Sequence, residues 1–275
     1  MGRTTALLLL ALAVAGCGKS QPAPHTPTER QSAPPAPPAP AASATPAPAA
    51  SGGASTVSES TGLYEFDYSY PAEAGRIGAL RAWLDAQRDE HKAELVASAR
   101  EGRSSAREAG FDYQPYAHGH AWQKVAEIPR FLSLSAQVYE SSGGAHPNHW
   151  FDALLWDKQA GRRLAALDLF GSPAAFDRAV QGPFCAALDR ERAKRRGEPV
   201  NRESGDPFDQ CLKPSGQTVI LGSSQGRAFD RIGLLVAPYE AGPYAEGEYE
   251  ITLPVTRAAL AAVRPAYQSA FAPGR

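Results

Sequence analysis

The sequence predicts an α+β fold, an antiparallel sheet meander with helices packed on it, behind a disordered proline- and alanine-rich N-terminal tether. Three observations predict it. Runs of alternating apolar and polar residues recur between residues 63 and 253, two long helical stripes interrupt them, and the aromatic residues all lie beyond residue 60. The globular region is therefore placed at 61–275, long enough for a sizeable core.

Taken in order, the chain opens with Arg3 and an apolar run from Ala6 to Ala15. That run is about half the ~20 residues a helix needs to cross a hydrocarbon core, which is the layout of a cleaved signal peptide. Val14, Ala15, Gly16 and Cys17 resemble the lipobox of bacterial lipoproteins. Residues 1–17 are read as signal peptide and lipobox, Cys17 as the lipidated residue, and membrane lipid as an expected partner through its acyl chains. Gly18 stands where an aspartate would resemble an inner-membrane retention signal. A membrane-anchored lipoprotein is thus expected, on the outer membrane facing the periplasm if the source is Gram-negative.

Residues 18–60 are almost entirely Pro, Ala, Ser, Thr and Gly, with Val57 the single large aliphatic. Such a stretch cannot bury a core, and its proline density favours extended polyproline II at ~3.1 Å per residue, a reach on the order of 100 Å. It is read as a disordered linker.

In the globular region, Leu63 to Tyr70 alternates Tyr64, Phe66, Tyr68 and Tyr70 with polar residues and ends at Pro71, the pattern of a half-buried strand. A helix follows, with Ile77, Leu80, Leu84, His91 and Leu95 on one stripe and a charged opposite face; His91 is read as a packing residue. Strands at about 120–127, 131–140 and 149–157 form the meander, separated by Pro129 and by the glycine-rich loop SSGGAHPN. Past the segment Leu164–Phe170, Ser172 caps a helix with Pro173 at its first position. Phe176, Val180, Phe184 and Leu188 are its buried stripe, and Pro183 is expected to kink it. Residues 197–216 read as loop, strands recur near 217–221, 229–238 and 247–253, and a final helix is expected from Thr256 to Phe271.

Charge is balanced, 28 basic side chains against 29 acidic ones, so no basic field points to a nucleic-acid partner. With Cys17 assigned to lipid, the other two of three cysteines, Cys185 and Cys211, pair as a disulfide in an oxidising compartment. Two buried free thiols are the alternative.

Four stretches carry a family resemblance: the opening strand and helix, the SGGAHPN loop with its preceding strand, WDKQAGRRLAALDLF, and APYEAGPYAEGEYEITLP. In this order they resemble the extracellular region of RsiV-like anti-sigma factors, also found beside some peptidoglycan deacetylases. The resemblance spans most of residues 63–271. It implies an α+β module that binds a partner, lysozyme in the anti-sigma members. It does not extend to a sigma-binding region, a spanning helix or a deacetylase domain, so neither transmembrane signalling nor deacetylation is expected.

Among chemical motifs, Gly222-Ser223-Ser224-Gln225-Gly226 matches G-x-S-x-G after a strand. A nucleophile elbow needs a helix next and a later histidine, whereas a strand follows and all six histidines precede Ser224. His118, His120, His146 and His149 fall within one short stretch, and pairing of the meander strands would bring both pairs to one end of the sheet. Neutral imidazoles there suit zinc or copper; a solvated loop cluster is the plainer alternative. Tyr239, Tyr244 and Glu246 lie on a Pro-Gly-rich turn, where tyrosines serve either as packing or as rigid interface anchors. The function expected is a non-catalytic binding module for lysozyme or cell-wall glycan, using His146, His149, Tyr239, Tyr244 and Glu246, without a cofactor. The alternatives are a metal-dependent envelope enzyme using the histidine cluster and a structural envelope component.

Overall fold

The structure, a computed structural model, describes residues 53–274. The expected signal peptide, Cys17 and the expected linker up to residue 52 lie outside the described residues. The tether's end is corrected. Residues read as linker form strand β1 (Ser55–Ser60), antiparallel to β2 (Tyr64–Tyr70). An edge strand needs only one half-buried side, and here Val57 packs on the core while Glu59 accepts from Lys92 (2.5 Å) and Tyr64 (2.8 Å).

A single turn, α1 (Ala72–Gly75), leads into α2 (Gly78–Ala109), which buries Leu80, Leu84, Leu95 and Ala99. α2 returns the chain to β3 (Tyr116–Glu127), which lies parallel to β2 with Tyr116 opposite Tyr64. This parallel pair joins the opening strand to the expected meander, and it is possible because a long helix makes the crossover. The meander continues through β4 (Phe131–Ser141), β5 (Asn148–Asp157) and the short β6 (Arg162–Leu164), all antiparallel. The six strands lie in chain order, with a register shift between Lys124 and Ala126.

α3 (Pro173–Arg196) begins as expected, the Ser172 side chain accepting from the Ala175 amide, and runs through Pro183 as one helix. The disulfide Cys185–Cys211 is present, its Cα atoms 5.4 Å apart, within the usual range for such a bridge. A second antiparallel sheet follows: β7 (Thr218–Gly222), β8 (Arg231–Val236) and β9 (Tyr249–Pro254). The expected final helix is interrupted. α4 (Arg257–Ala262) stops before Val263, which bridges to Phe170, and residues 265–270 form a 3₁₀ turn. Pro265 accounts for the break, because it lacks an amide donor and disfavours helical geometry at Arg264.

The six-stranded sheet has two faces that go to different cores. Even-numbered residues of β2, β4 and β5, and of β3 before its register shift, among them Phe66, Tyr68, Trp122, Leu134, Leu154 and Trp156, face α2 and form one core. On the other face Phe131 and Leu155 join α3 and the second sheet in a larger core around Phe176, Phe184, Phe229 and Ile232. Among the described residues no helix is long and apolar enough to cross a membrane.

Candidate functional site

The α2 face of the sheet carries three histidines. His118 and His120 stand two residues apart on β3 and so share a face. Gly119 between them is required on the reverse face, where a Cβ would collide with the Tyr139 ring. α2 brings His91 down on the pair, with ring centroids 4.9 Å from His118 and 5.3 Å from His120. The helix is held in this register one turn earlier: Gln87 accepts from Tyr68 (2.9 Å) and from the Trp122 indole (3.1 Å). One ring nitrogen from each histidine lies within 4.8 Å of the other two.

His118 and His120 are 3% and 1% exposed, and no hydrogen-bond partner reaches Nε2 of His91, Nε2 of His118, or either nitrogen of His120. Burial, with His91 nearby, lowers the His118 pKa against the pull of Glu140, whose carboxylate lies 3.2 Å from Nδ1. Burial, followed by the neighbouring His91 and His118, pushes His120 down to about 3. Both rings are therefore neutral at physiological pH. Asp152 sits 3.6 Å from His120 Nε2, with its pKa raised by burial. A cleft of about 390 Å³ opens beside the group, lined by His91, His118, Tyr116, Glu140 and Asn148 among others.

The expected four-histidine cluster is thus regrouped. His118 pairs in register with Glu140 and His149 with Tyr139, so the two histidine pairs do reach one end of the sheet. Strand periodicity puts them on opposite faces, and the partner of His118 and His120 is His91, read from the sequence as packing alone.

His146 and His149 instead join an exposed aromatic patch. The His146 ring stacks on Tyr244 at 3.9 Å between centroids and 18° between planes, with Tyr239 5.5 Å from Tyr244 and His149 6.3 Å from it. The Pro147 carbonyl accepts from Tyr244 Oη (3.1 Å) and lies 3.0 Å from His146 Nδ1. A carbonyl only accepts, so Nδ1 carries the proton, and in the neutral ring Nε2 accepts from Tyr239 Oη at 3.0 Å. Tyr239 is 53% exposed and, at φ 70°, is the single non-glycine residue with positive φ among the described residues. Glu246 does not belong to this surface. Its carboxylate accepts from Arg196 Nε (2.8 Å) and from the Tyr249 hydroxyl, which leaves it committed internally.

Residues that sequence reasoning missed hold the patch in place. Arg192, fully buried on α3, donates to the carbonyls of Ala241 (2.8 Å) and Gln210 (2.9 Å). Arg196 bridges Asp209 (2.7 Å) and Glu246. The C-terminal half of α3 therefore ties the aromatic turn to the disulfide-closed loop. The one available signal was the basic run Arg190–Arg196, which reads equally well as a solvated helix end. Ser224 hydrogen-bonds to Asp230, and β7 leads on to β8, so the G-x-S-x-G string is a loop and lacks the strand–turn–helix setting of a nucleophile elbow.

Residues 57–149 match the family model of the deacetylase PdaC. The match runs from within β1 through β4, includes all three of His91, His118 and His120, and stops at His149. Among solved structures, a DUF3298-family protein from Bacteroides fragilis is similar at 16% identity and a TM-score of 0.52, over 74% of this chain and 89% of that one. A DUF3298-family protein from Pseudomonas aeruginosa aligns at 13% identity and a TM-score of 0.49, over 81% and 97%. The likeness to the Bacteroides protein is one of fold. Curated proteins return no match to the chain.

Proposed function

We propose that this chain is a non-catalytic binding module of the bacterial cell envelope, anchored by lipid on Cys17, that holds a lysozyme or a cell-wall glycan on its aromatic patch. The observation that carries this reading is Tyr239, kept half-exposed at positive φ above a stacked His146–Tyr244 pair. A non-glycine residue in that region costs about 1–2 kcal/mol, and such strain persists where surrounding contacts over-determine it, commonly at ligand clamps. Rigid aromatic rings presented to solvent suit both a protein groove and a sugar face. The match to a family named for a deacetylase supports the module and its envelope setting, and no catalytic role is taken from that name.

Calorimetry with several lysozymes and with muropeptides tests the reading and separates its two ligand classes. One class should bind without being cleaved, and Tyr239→Ala or Tyr244→Ala should weaken binding at least tenfold while the melting temperature is followed in parallel. Absence of binding to every ligand by the folded protein ends it. The anchor is tested separately: Cys17→Ser should abolish labelling by a radioactive fatty acid and release the protein from the membrane fraction.

A further inference from the structure

We infer that His91, His118 and His120 form a binding site for one divalent transition-metal ion, with zinc as its probe and a fourth coordination position open to the adjoining cleft. The site lies on the α2 face and does not depend on the partner-binding reading.

The donor set is the first argument. Three imidazoles on two elements that are fixed against each other present one nitrogen each, all within 4.8 Å of one another. Tetrahedral zinc with Zn–N bonds of ~2.0–2.1 Å places its donors about 3.3 Å apart, so the three close inward by roughly an ångström or so on loading. His91, the least buried of the three, sits on the helix surface and has the freedom to do this.

The second argument is the unpartnered nitrogens. Packing alone leaves buried polar atoms of all three rings without hydrogen bonds, a desolvation cost that stacking does not return. A metal ion takes one nitrogen from each ring. The remaining nitrogens meet carboxylates: Glu140 lies 3.2 Å from His118 Nδ1 and Asp152 3.6 Å from His120 Nε2. Carboxylates behind ligating imidazoles fix the tautomer and raise ligand basicity. Neutral nitrogen donors select zinc, copper or nickel over magnesium and calcium.

The experiment uses the full chain, stripped with a chelator and titrated by calorimetry with zinc and, as the contrasting ion, calcium. Zinc should bind at one equivalent and calcium not at all, and cobalt(II) at the same site should give the visible absorption of a nitrogen-ligated ion. Because His118 and His120 are buried, the decisive variant is the more accessible His91→Ala, expected to lower zinc affinity at least 100-fold with an unchanged circular dichroism spectrum. His146→Ala/His149→Ala should bind zinc like the parent. The proposal is overturned by a lack of one-to-one zinc uptake, by full affinity in His91→Ala, or by a loss confined to the His146/His149 variant.

Discussion

The two histidine groups lie at the same end of one sheet, yet they are opposite in almost every physical respect. His118 and His120 are buried among Phe66, Tyr68 and Trp122, and three of their four ring nitrogens find no hydrogen-bond partner. His146 is exposed, and both of its nitrogens are engaged, by Pro147 and Tyr239. The buried group is held by a helix laid across strands, the exposed one by a turn that α3 clasps through Arg192 and Arg196. A cluster of one residue type is therefore no unit of function. The face of the strand on which each member falls decides whether it meets a core or a partner.

The comparison breaks most visibly in stability. Trp122→Ala removes a buried ring 5.0 Å from His120 and a donor to Gln87, and should cost about 3–5 kcal/mol in denaturant unfolding while leaving the aromatic patch and partner binding intact. A cost under 1 kcal/mol would mean that α2 is not packed as described. Next comes the disulfide. Cys185→Ser with Cys211→Ser should lower stability by about 2–4 kcal/mol and raise amide exchange around Ala241 and Glu246, with residues 118–122 remaining protected. Equal deprotection of both regions would erase the distinction between them.

Two smaller effects refine the exposed side. Tyr239→Gly and Tyr239→Ala both remove the ring, but only alanine keeps the positive-φ penalty, so the glycine variant should be more stable by about 1 kcal/mol by thermal melting. Identical stabilities would remove strain from the account of the patch. His146→Ala, at an exposed position, should change stability by no more than about 0.5 kcal/mol, yet weaken a bound partner about fivefold, or ~1 kcal/mol. A stability loss without an affinity loss would make the histidine structural.

Much of this was legible from residue order. The alternation in Leu63–Tyr70, the capped start of α3 at Ser172 and Pro173, the meander and the cysteine pair all follow local rules, and each is found where those rules place it. β1 was missed because a serine-rich edge strand with only Val57 to bury has no period strong enough to stand out from a polar linker. The final helix is shorter than its apolar pattern suggests because Pro265 ends it from within that pattern. The histidine regrouping had a different cause. His-Gly-His on a strand announces one shared face, but the approach of His91 depends on how a 32-residue helix crosses the sheet, and no local pattern encodes that angle. Glu246 looked free because its partner Arg196 lies fifty residues earlier in the chain.

The parallel pairing of β2 with β3 also predicts an order of events in folding. The β3–β4–β5 meander joins near neighbours, whereas the pairing of Tyr64 with Tyr116 closes a loop of about fifty residues that contains α2, so contact separation predicts that it closes later. On that order His118 and His120 are expected to be placed with the meander, and His91 to join them with the later closure. If the three rings meet in the last long-range closure, substitutions at that contact should speed unfolding while leaving the refolding rate nearly unchanged.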